Sequence, residues 1–423
     1  MHIALVGGGA AGLMAAAAIQ ETNPTAEVTL IERNTVLGRK VTISGGGRCN
    51  VTTGVHDLRL ILSRYPRGGK FLVSAMHRFP PEAVMAWFEG HGVPLNTEAD
   101  LRVFPASDHG QDVVAVFDRL FGASGSRIHV LLGCSVVHIA RPATEFLLTD
   151  KQGGVIVADR VILTTGGQAY RHTGSTGDGY AFAESLGHTV TSLAPSLNSF
   201  TTKEQWPKQL AGCSLPWVRF TAPAHADATY DGPLLFTHHG VSGPAAFALS
   251  GLVAFVPIDA VHPLAMAINC FPDESLLALE QRLAARCHEN GRKSMRTVLG
   301  FFLPKTLADV LCTETHIDGD MRAAQATKAM VAACAQWMHA IPLHVVGRGA
   351  GDEFVTAGGV DTNEVDPKTM ESRICPGLFF AGEILNVDGF TGGFNLQASW
   401  ATGRAAGEYA GRDHDAETTG RRA

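Results

Sequence analysis

The sequence predicts an α/β protein: a Rossmann-like dinucleotide-binding domain, split along the chain and interrupted by a β-rich domain and a small helical domain. Three observations carry this. The first 32 residues follow the strand, glycine turn, helix, strand, acid order of a nucleotide-binding βαβ unit. A second strand and glycine loop come back at Gly377 and lead into a long helical segment. Between them the composition changes, first to short Pro- and Thr-rich apolar runs and then to helical periodicity.

The opening stretch is the most informative. Ile3 to Val6 is an uncharged apolar run, as expected of a strand buried on both faces. Gly7, Gly9 and Gly12 then form G-x-G-x-x-G ahead of an Ala-rich helix, Leu13 to Ile19. Gly7 permits a tight turn, Gly9 lets a pyrophosphate approach the backbone, and Gly12 lets helix and strand pack closely. The helix N-terminus offers free N–H groups and partial positive charge to the phosphates. A second strand, Glu27 to Ile31, ends in Glu32, placed to accept hydrogen bonds from a ribose.

Composition bounds the rest. A chain of 423 residues exceeds one compact core, so two or three domains are expected. With 45% hydrophobic and 17% charged residues it has the make-up of a globular protein, and 47 glycines point to many turns and close approaches. The net charge of −6 offers no basic field, so a small-molecule substrate is expected rather than nucleic acid. No apolar run reaches membrane-spanning length, and the glycine-broken N-terminus lacks the basic region of a signal peptide. The eight scattered cysteines form neither C-x-x-C nor a metal-ligand spacing, which suits reduced thiols in a cytoplasmic protein with no metal.

After Glu32 comes a long cationic glycine-rich segment, expected as a loop, holding Arg39, Lys40, Ser44, Gly45, Gly46, Arg48, Cys49 and Asn50. It reads as a clamp over an anionic, extended cofactor. Cys49 has no second cysteine nearby in sequence, so a small residue in a turn is favoured over a redox thiol. Asp57 to Trp87 is helical, Leu101 to Pro105 extended, and Asp112 to Phe121 an amphipathic helix. Arg127 to Val137, Glu145 to Thr149 and Gly154 to Ala158 read as an antiparallel meander. Arg160 to Thr165 is a buried strand returning to the nucleotide domain, where Gly166 lets backbone pass close to the cofactor. His172 lies in the polar loop that follows, and Asp178 stands where a helix N-cap would.

Leu193 to about Ala267 reads as β-rich, with the unusual pair His238-His239 in a glycine-flanked turn. Asp273 to Met338 is helical. The domain plan is therefore a nucleotide-binding domain at 1–192 and 346–423, a β-rich domain at 193–270 and 339–345, and a helical subdomain at 271–338. Val345 to Gly351 imitates a second dinucleotide loop, but a strand-like segment follows it, so no second phosphate-binding helix is expected. Gly377 to Glu383 is a buried strand ending in Gly382-Glu383, an acid that can bond flavin-side hydroxyls. Asn386 to Gly393 is a polar glycine loop. Gly392, Gly393, Phe394 and Asn395 then open a helix, Leu396 to Ala410, whose N-terminus would face a flavin's pyrimidine end, where reduction places negative charge. Two cofactor-contacting segments so far apart turn "dinucleotide" into non-covalent FAD.

The segments GRKVTISGGGRCNVT, TGSTGDGY, FTHHGVSGP, TAGGV and GLFFAGEILNVDGFTGGFNLQ resemble the BaiN-like flavoproteins, also called the aminoacetone oxidase family of FAD-binding enzymes. The resemblance spans nearly the whole chain. It implies a glutathione-reductase-like topology and FAD contacts at Gly9, Ala10, Ala11, Glu32, Arg33, Lys40, Ser44, Gly45, Gly46, Arg48, Asn50, Gly382, Glu383, Gly393, Phe394, Asn395 and Leu396. Asn386 departs from the Asp that many relatives carry. The expected activity is hydride transfer between flavin N5 and a small organic substrate, with NAD(P)H docking transiently as donor. Polar contact or proton transfer would come from His172, His238, His239 or Asn386. The rival expectations are an oxygen-using amine or aminoketone oxidase, and a non-catalytic flavin protein acting as redox sensor or associated with RNA.

Overall fold

The computed structural model describes residues 1–225, 228–349 and 354–412. Two compact units divide the chain: Met1–Pro195 with Phe354–Ala423, and Ser196–Glu353.

The first unit is built on a five-stranded parallel sheet in the order Leu378–Phe380, Arg160–Leu163, His2–Val6, Glu27–Glu32, Ile128–Leu132. His2–Val6 lies at its centre and is buried from Ile3 onward, with the first helix and the antiparallel strand Val155–Ala158 both in contact with it. The first helix, Ala10–Thr22, is longer than its apolar core suggests, and every residue from Ala10 to Ile19 is buried. The closing helix, Phe394–Ala410, packs along it. A Cβ on Gly403 would lie 2.4 Å from the Ala11 carbonyl oxygen, and one on Gly407 2.3 Å from that of Ala15. The glycine face thus brings the two helix backbones together, and the rising register shows that they run parallel.

Several expectations change. Ile128–Leu132 is not part of the meander. It joins the parallel sheet as its edge, paired with Glu27–Glu32, while Val136–Ala140, Phe146–Asp150 and Val155–Ala158 form the three-stranded antiparallel sheet. One apolar run was broken by Gly133 (φ 67°), whose turn redirects the chain. The segment at 38–50 is not an open loop: Arg39–Ile43 is helical and Ser44–Gly47 a 3-10 turn, with Gly45 and Gly46 left-handed. The stretch 57–87 divides into three short helices, Leu58–Ser63, Val73–Arg78 and Pro81–Gly90. Asp178 is the first residue of its helix, whose cap is Gly177 at φ 88°.

The second unit contains a closed six-stranded barrel in the order Phe200–Thr202, Gly240–Ser242, Thr229–Phe236, Ser214–Thr221, Leu264–Asn269, Ile341–Arg348. Helices Leu276–Glu289, Met295–Leu299, Lys305–Glu314 and Lys328–His339 lie between the last two strands, and Ser275, Ser294 and Thr327 cap three of them. Barrel and helices share one hydrophobic core. A helix not anticipated from the sequence, Pro244–Leu252, packs there through Ala245, Ala246 and Leu249. Of the glycine-rich stretch that imitates a dinucleotide loop, Val345–Arg348 is barrel strand and 350–351 lies outside the described residues. The anticipated return at 346 falls inside that strand, and the first unit resumes at Phe354.

Candidate active site

The turn between the central strand and the first helix is set by contacts that tolerate only glycine. Gly7 (φ 113°) donates its N–H to the Ile31 carbonyl at 2.9 Å, and a Cβ there would lie 2.5 Å from the Thr164 carbonyl oxygen. A Cβ on Gly12 would lie 2.0 Å from the Gly7 carbonyl oxygen. Gly9 is different: a Cβ there would meet no atom within 4 Å. Its glycine leaves room in front of the helix. Gly9 caps the helix without a side-chain bond, and the first turn carries no acid. The backbone N–H groups at Ala10 and Ala11 therefore face a space suited to an anion.

Glu32 is buried, and the protein already uses both its oxygens. Oε2 accepts from the Gly8 N–H at 2.8 Å, and Oε1 from the Asn34 N–H at 2.8 Å and the Asn34 Nδ2 at 2.6 Å. It fixes the glycine turn, and a carboxylate retains lone pairs for a hydroxyl. Arg33 does not point to an open cleft. It donates to Asp178 Oδ2 at 2.6 Å and to Thr176, bracing the 173–178 loop.

The three-cation clamp is also revised. Arg48 is held by Glu98 at 2.6 Å and Asp108 at 2.7 Å, with its guanidinium 3.8 Å from the Phe104 ring centroid. Lys40 Nζ bonds Glu383 Oε2 at 2.8 Å, and Arg39 reaches the Asn34 carbonyl oxygen Oδ1 at 3.4 Å. Acids distant in sequence thus neutralise two of the three cations, which segment composition could not reveal. Ser44 Oγ donates to the Val41 carbonyl, and Asn50 Oδ1 accepts from the Val103 N–H. Gly46 and Gly47, like Gly9, have no neighbour within 4 Å of a built Cβ. Cys49 is fully buried at φ 60°, and burial pushes its thiol up to about 12. A thiol so desolvated is a packing group.

The Lys40–Glu383 pair ties the first segment to the last. Glu383 Oε1 also accepts the Thr356 N–H at 2.9 Å, and Gly382 (φ 79°) donates to Thr402 Oγ1 at 2.9 Å. Thr165 and Gly166 follow the neighbouring strand, where a Cβ on Gly179 would lie 1.9 Å from Thr165 Oγ1. Gly392 and Gly393 are left-handed, and a Cβ on Gly393 would lie 2.1 Å from the Thr52 carbonyl oxygen. The closing helix begins at Phe394 with no side-chain cap and no acid in its first turn. Asn395 turns inward, accepting from the Gly389 N–H and donating to the Gly389 carbonyl, both at 2.8 Å, while Leu396 is partly buried against the core.

Sequence reasoning missed what holds this loop. Asp388, 1% exposed, is clasped by Arg67, and the Tyr65 hydroxyl donates to the Phe394 carbonyl at 2.6 Å. The one signal was an acid inside a glycine-rich segment. Tyr170 was also missed: it is left-handed at φ 55°, stacks on Phe354 at 5.7 Å and lies under Lys40 at 5.9 Å.

Of the expected polar candidates, His172 and Asn386 belong to the first unit and His238 and His239 to the second. His172 is exposed, edge-on to Tyr170 at 5.5 Å. His238 and His239 are exposed in a turn of the barrel unit. The Asn386 N–H donates to the Val360 carbonyl, while its buried Oδ1 has no partner among the described residues. No cluster of three His, Cys, Asp or Glu that could hold a metal occurs among the described residues, and no helix there is long and apolar enough to cross a membrane.

A parallel sheet with a glycine turn, an uncapped helix and a second uncapped helix returning to it defines a Rossmann-type flavoprotein of the oxidoreductase class. The HI0933-like protein Rossmann domain family matches residues 1–409, and the chain belongs to that family. It is similar to the 3-dehydro-bile acid delta(4,6)-reductase of Clostridium scindens, 29% identical, with 97% of this chain and 98% of the relative covered. It is also similar to the ribosomal RNA dihydrouridine synthase of Escherichia coli, 30% identical, with 96% of each chain covered. Among solved structures, E. coli quinol fumarate reductase FrdA shares the fold at TM-score 0.50 and 17% identity, covering 99% of this chain and 73% of that one. These findings agree with the resemblance to BaiN-like flavoproteins.

Proposed function

We propose that this protein is an FAD-dependent reductase that saturates a carbon–carbon double bond conjugated to a carbonyl, using NAD(P)H as donor. The relation between the two uncapped helices carries this reading. Gly403, Gly407 and Gly411 sit against Ala11, Ala15 and Ile19, so the closing helix begins about eight residues, roughly 12 Å, ahead of the first. Two positive helix ends, offset along one direction, suit the phosphates and the ring of an extended dinucleotide. Gly7, Gly9, Ala10, Ala11 and Gly12 would hold the pyrophosphate, and Glu32 the adenosine ribose. Lys40 and Glu383 would contact the middle of the cofactor, and Gly392, Gly393, Phe394 and Leu396 its ring.

Bound FAD supplies a hydride from N5. The chain's share is to keep the cofactor extended, to place positive helix charge beside the ring, and to hold the 386–393 loop rigid through Asp388 and Asn395. Asn386 has no proton to transfer at neutral pH and would instead orient a substrate carbonyl. His172 is the candidate proton donor in the first unit. The reductase reading is preferred to the oxidase because both relatives are named for adding hydrogen across a double bond, in a bile acid and in uridine. Anaerobic titration of the yellow protein with NADH and NADPH tests it: bleaching near 450 nm is expected with one of them. A flavin that neither nucleotide bleaches removes the reductase reading.

A further inference from the structure

The five-stranded sheet of the first unit ends on one side at Ile128–Leu132, which among the described residues pairs only with Glu27–Glu32. The Val28 N–H donates to the Arg127 carbonyl at 3.0 Å, while Val28 itself faces Ile128 and Leu30 faces Val130. In a parallel ladder a residue bonds the two neighbours of the one it faces. The backbone groups of Arg127, His129 and Leu131 are therefore turned to the inner strand, and those of Ile128, Val130 and Leu132 point outward. The Ile128 N–H reaches the Ser126 hydroxyl at 3.3 Å, and no described residue bonds the N–H of Val130 or Leu132.

A sheet edge of this kind is ordinarily guarded by charge, proline or a bulge. This one has none of the three. No residue from Ile128 to Ala140 is Lys, Arg, Asp, Glu or Pro, and the pairing with Glu27–Glu32 runs without a register shift. Leu131 and Leu132 are 38% and 46% exposed. Ile128, Val130 and Leu132 also line a cavity of about 490 Å³ together with Val36 and Phe121, in which Asp118 is the one charged residue. The strand is its own complement. Turned antiparallel about Val130, a second copy places Val130 against Val130 and Ile128 against Leu132. Each outward N–H then meets an outward carbonyl, and no charge on the strand is brought against its like. The copy's Leu132 lies beside Ile128 on the cavity face, which removes apolar surface from water.

We infer that Ile128–Leu132 is an interface between two copies of this chain, paired antiparallel about a two-fold axis at Val130, so that their two sheets become one. Sedimentation equilibrium of the flavin-loaded protein is expected to show the mass rising with concentration from 44.8 kDa towards twice that value. Leu132→Lys, which guards the edge with charge, should stay at 44.8 kDa with an unchanged circular dichroism spectrum. Register is read by cysteine pairing under a copper–phenanthroline oxidant. Facing Cα atoms of a hydrogen-bonded antiparallel pair are about 5.5 Å apart, within disulfide reach, so Val130→Cys should give a linked dimer on a non-reducing gel. In Leu132→Cys the two thiols would stand four residues out of register, about 13 Å apart, and no linked band should form. A parent that sediments at 44.8 kDa at every concentration overturns the inference. So does a dimer that survives Leu132→Lys, a Val130→Cys chain that fails to link, or equal linking in the two cysteine variants.

Discussion

At the scale of single residues, environment outweighs residue type. Cys49 sits among glycines in the segment assigned to the cofactor, yet it is buried and its thiol lies near 12. At pH 8 only about one molecule in ten thousand would carry the thiolate. Iodoacetamide should therefore leave Cys49 unmodified in the native protein and label it after unfolding, as read by peptide mass spectrometry. Lys40 is the opposite case, an apparent surface cation whose partner Glu383 is 343 positions away. A hydrogen bond between charged groups contributes about 1.5–3 kcal/mol. Lys40→Met should thus weaken FAD binding about tenfold, measured by the recovery of free-flavin fluorescence on dilution. The glycine fingerprint and Glu32 were legible because their spacing is local. The protein partners of Arg33, Arg48 and Asn395 were not, because they are distant residues or loop backbone.

At the scale of elements, the parallel crossing of Ala10–Thr22 and Phe394–Ala410 organises the first unit. It depends on Gly403 and Gly407, whose hydrogens face backbone carbonyls. Gly403→Val would drive the helices apart at a cost of about 1–3 kcal/mol or more. Because the displaced helix carries Gly393 and Phe394 at its start, flavin content and thermal midpoint should fall together. Gly90→Ala, where a Cβ meets nothing within 4 Å, should leave both unchanged. The sequence showed both helices but not their crossing. Likewise Ile128–Leu132 could be seen as a strand, but a strand's own pattern does not name the sheet it joins.

At the scale of the whole molecule, stability should depend on pH through His188. The ring is buried, with Nε2 2.7 Å from Ser372 Oγ and Nδ1 3.1 Å from Glu364 Oε2. Burial depresses its pKa below the usual value, outweighing the opposing pull of Glu364. A depressed histidine binds its proton more readily when unfolded, so its contribution is intact above about pH 6.5 and is lost as pH falls through the folded value. The thermal midpoint should drop between pH 7 and 5, and His188→Gln should flatten that slope. An equal slope in both proteins would assign the acid sensitivity to other groups.

What the amino-acid order determined by itself was the local chemistry: a dinucleotide turn, a second glycine loop with its helix, alternating strands and capped helices. These follow from neighbour-to-neighbour sterics and periodicity, which need no knowledge of the remainder of the chain. Tertiary structure alone decided which charges are satisfied, since ion pairs such as Lys40–Glu383 and Arg67–Asp388 join segments more than 300 residues apart. It also decided that the barrel and its helices share one core, because burial depends on what the completed fold places opposite each face.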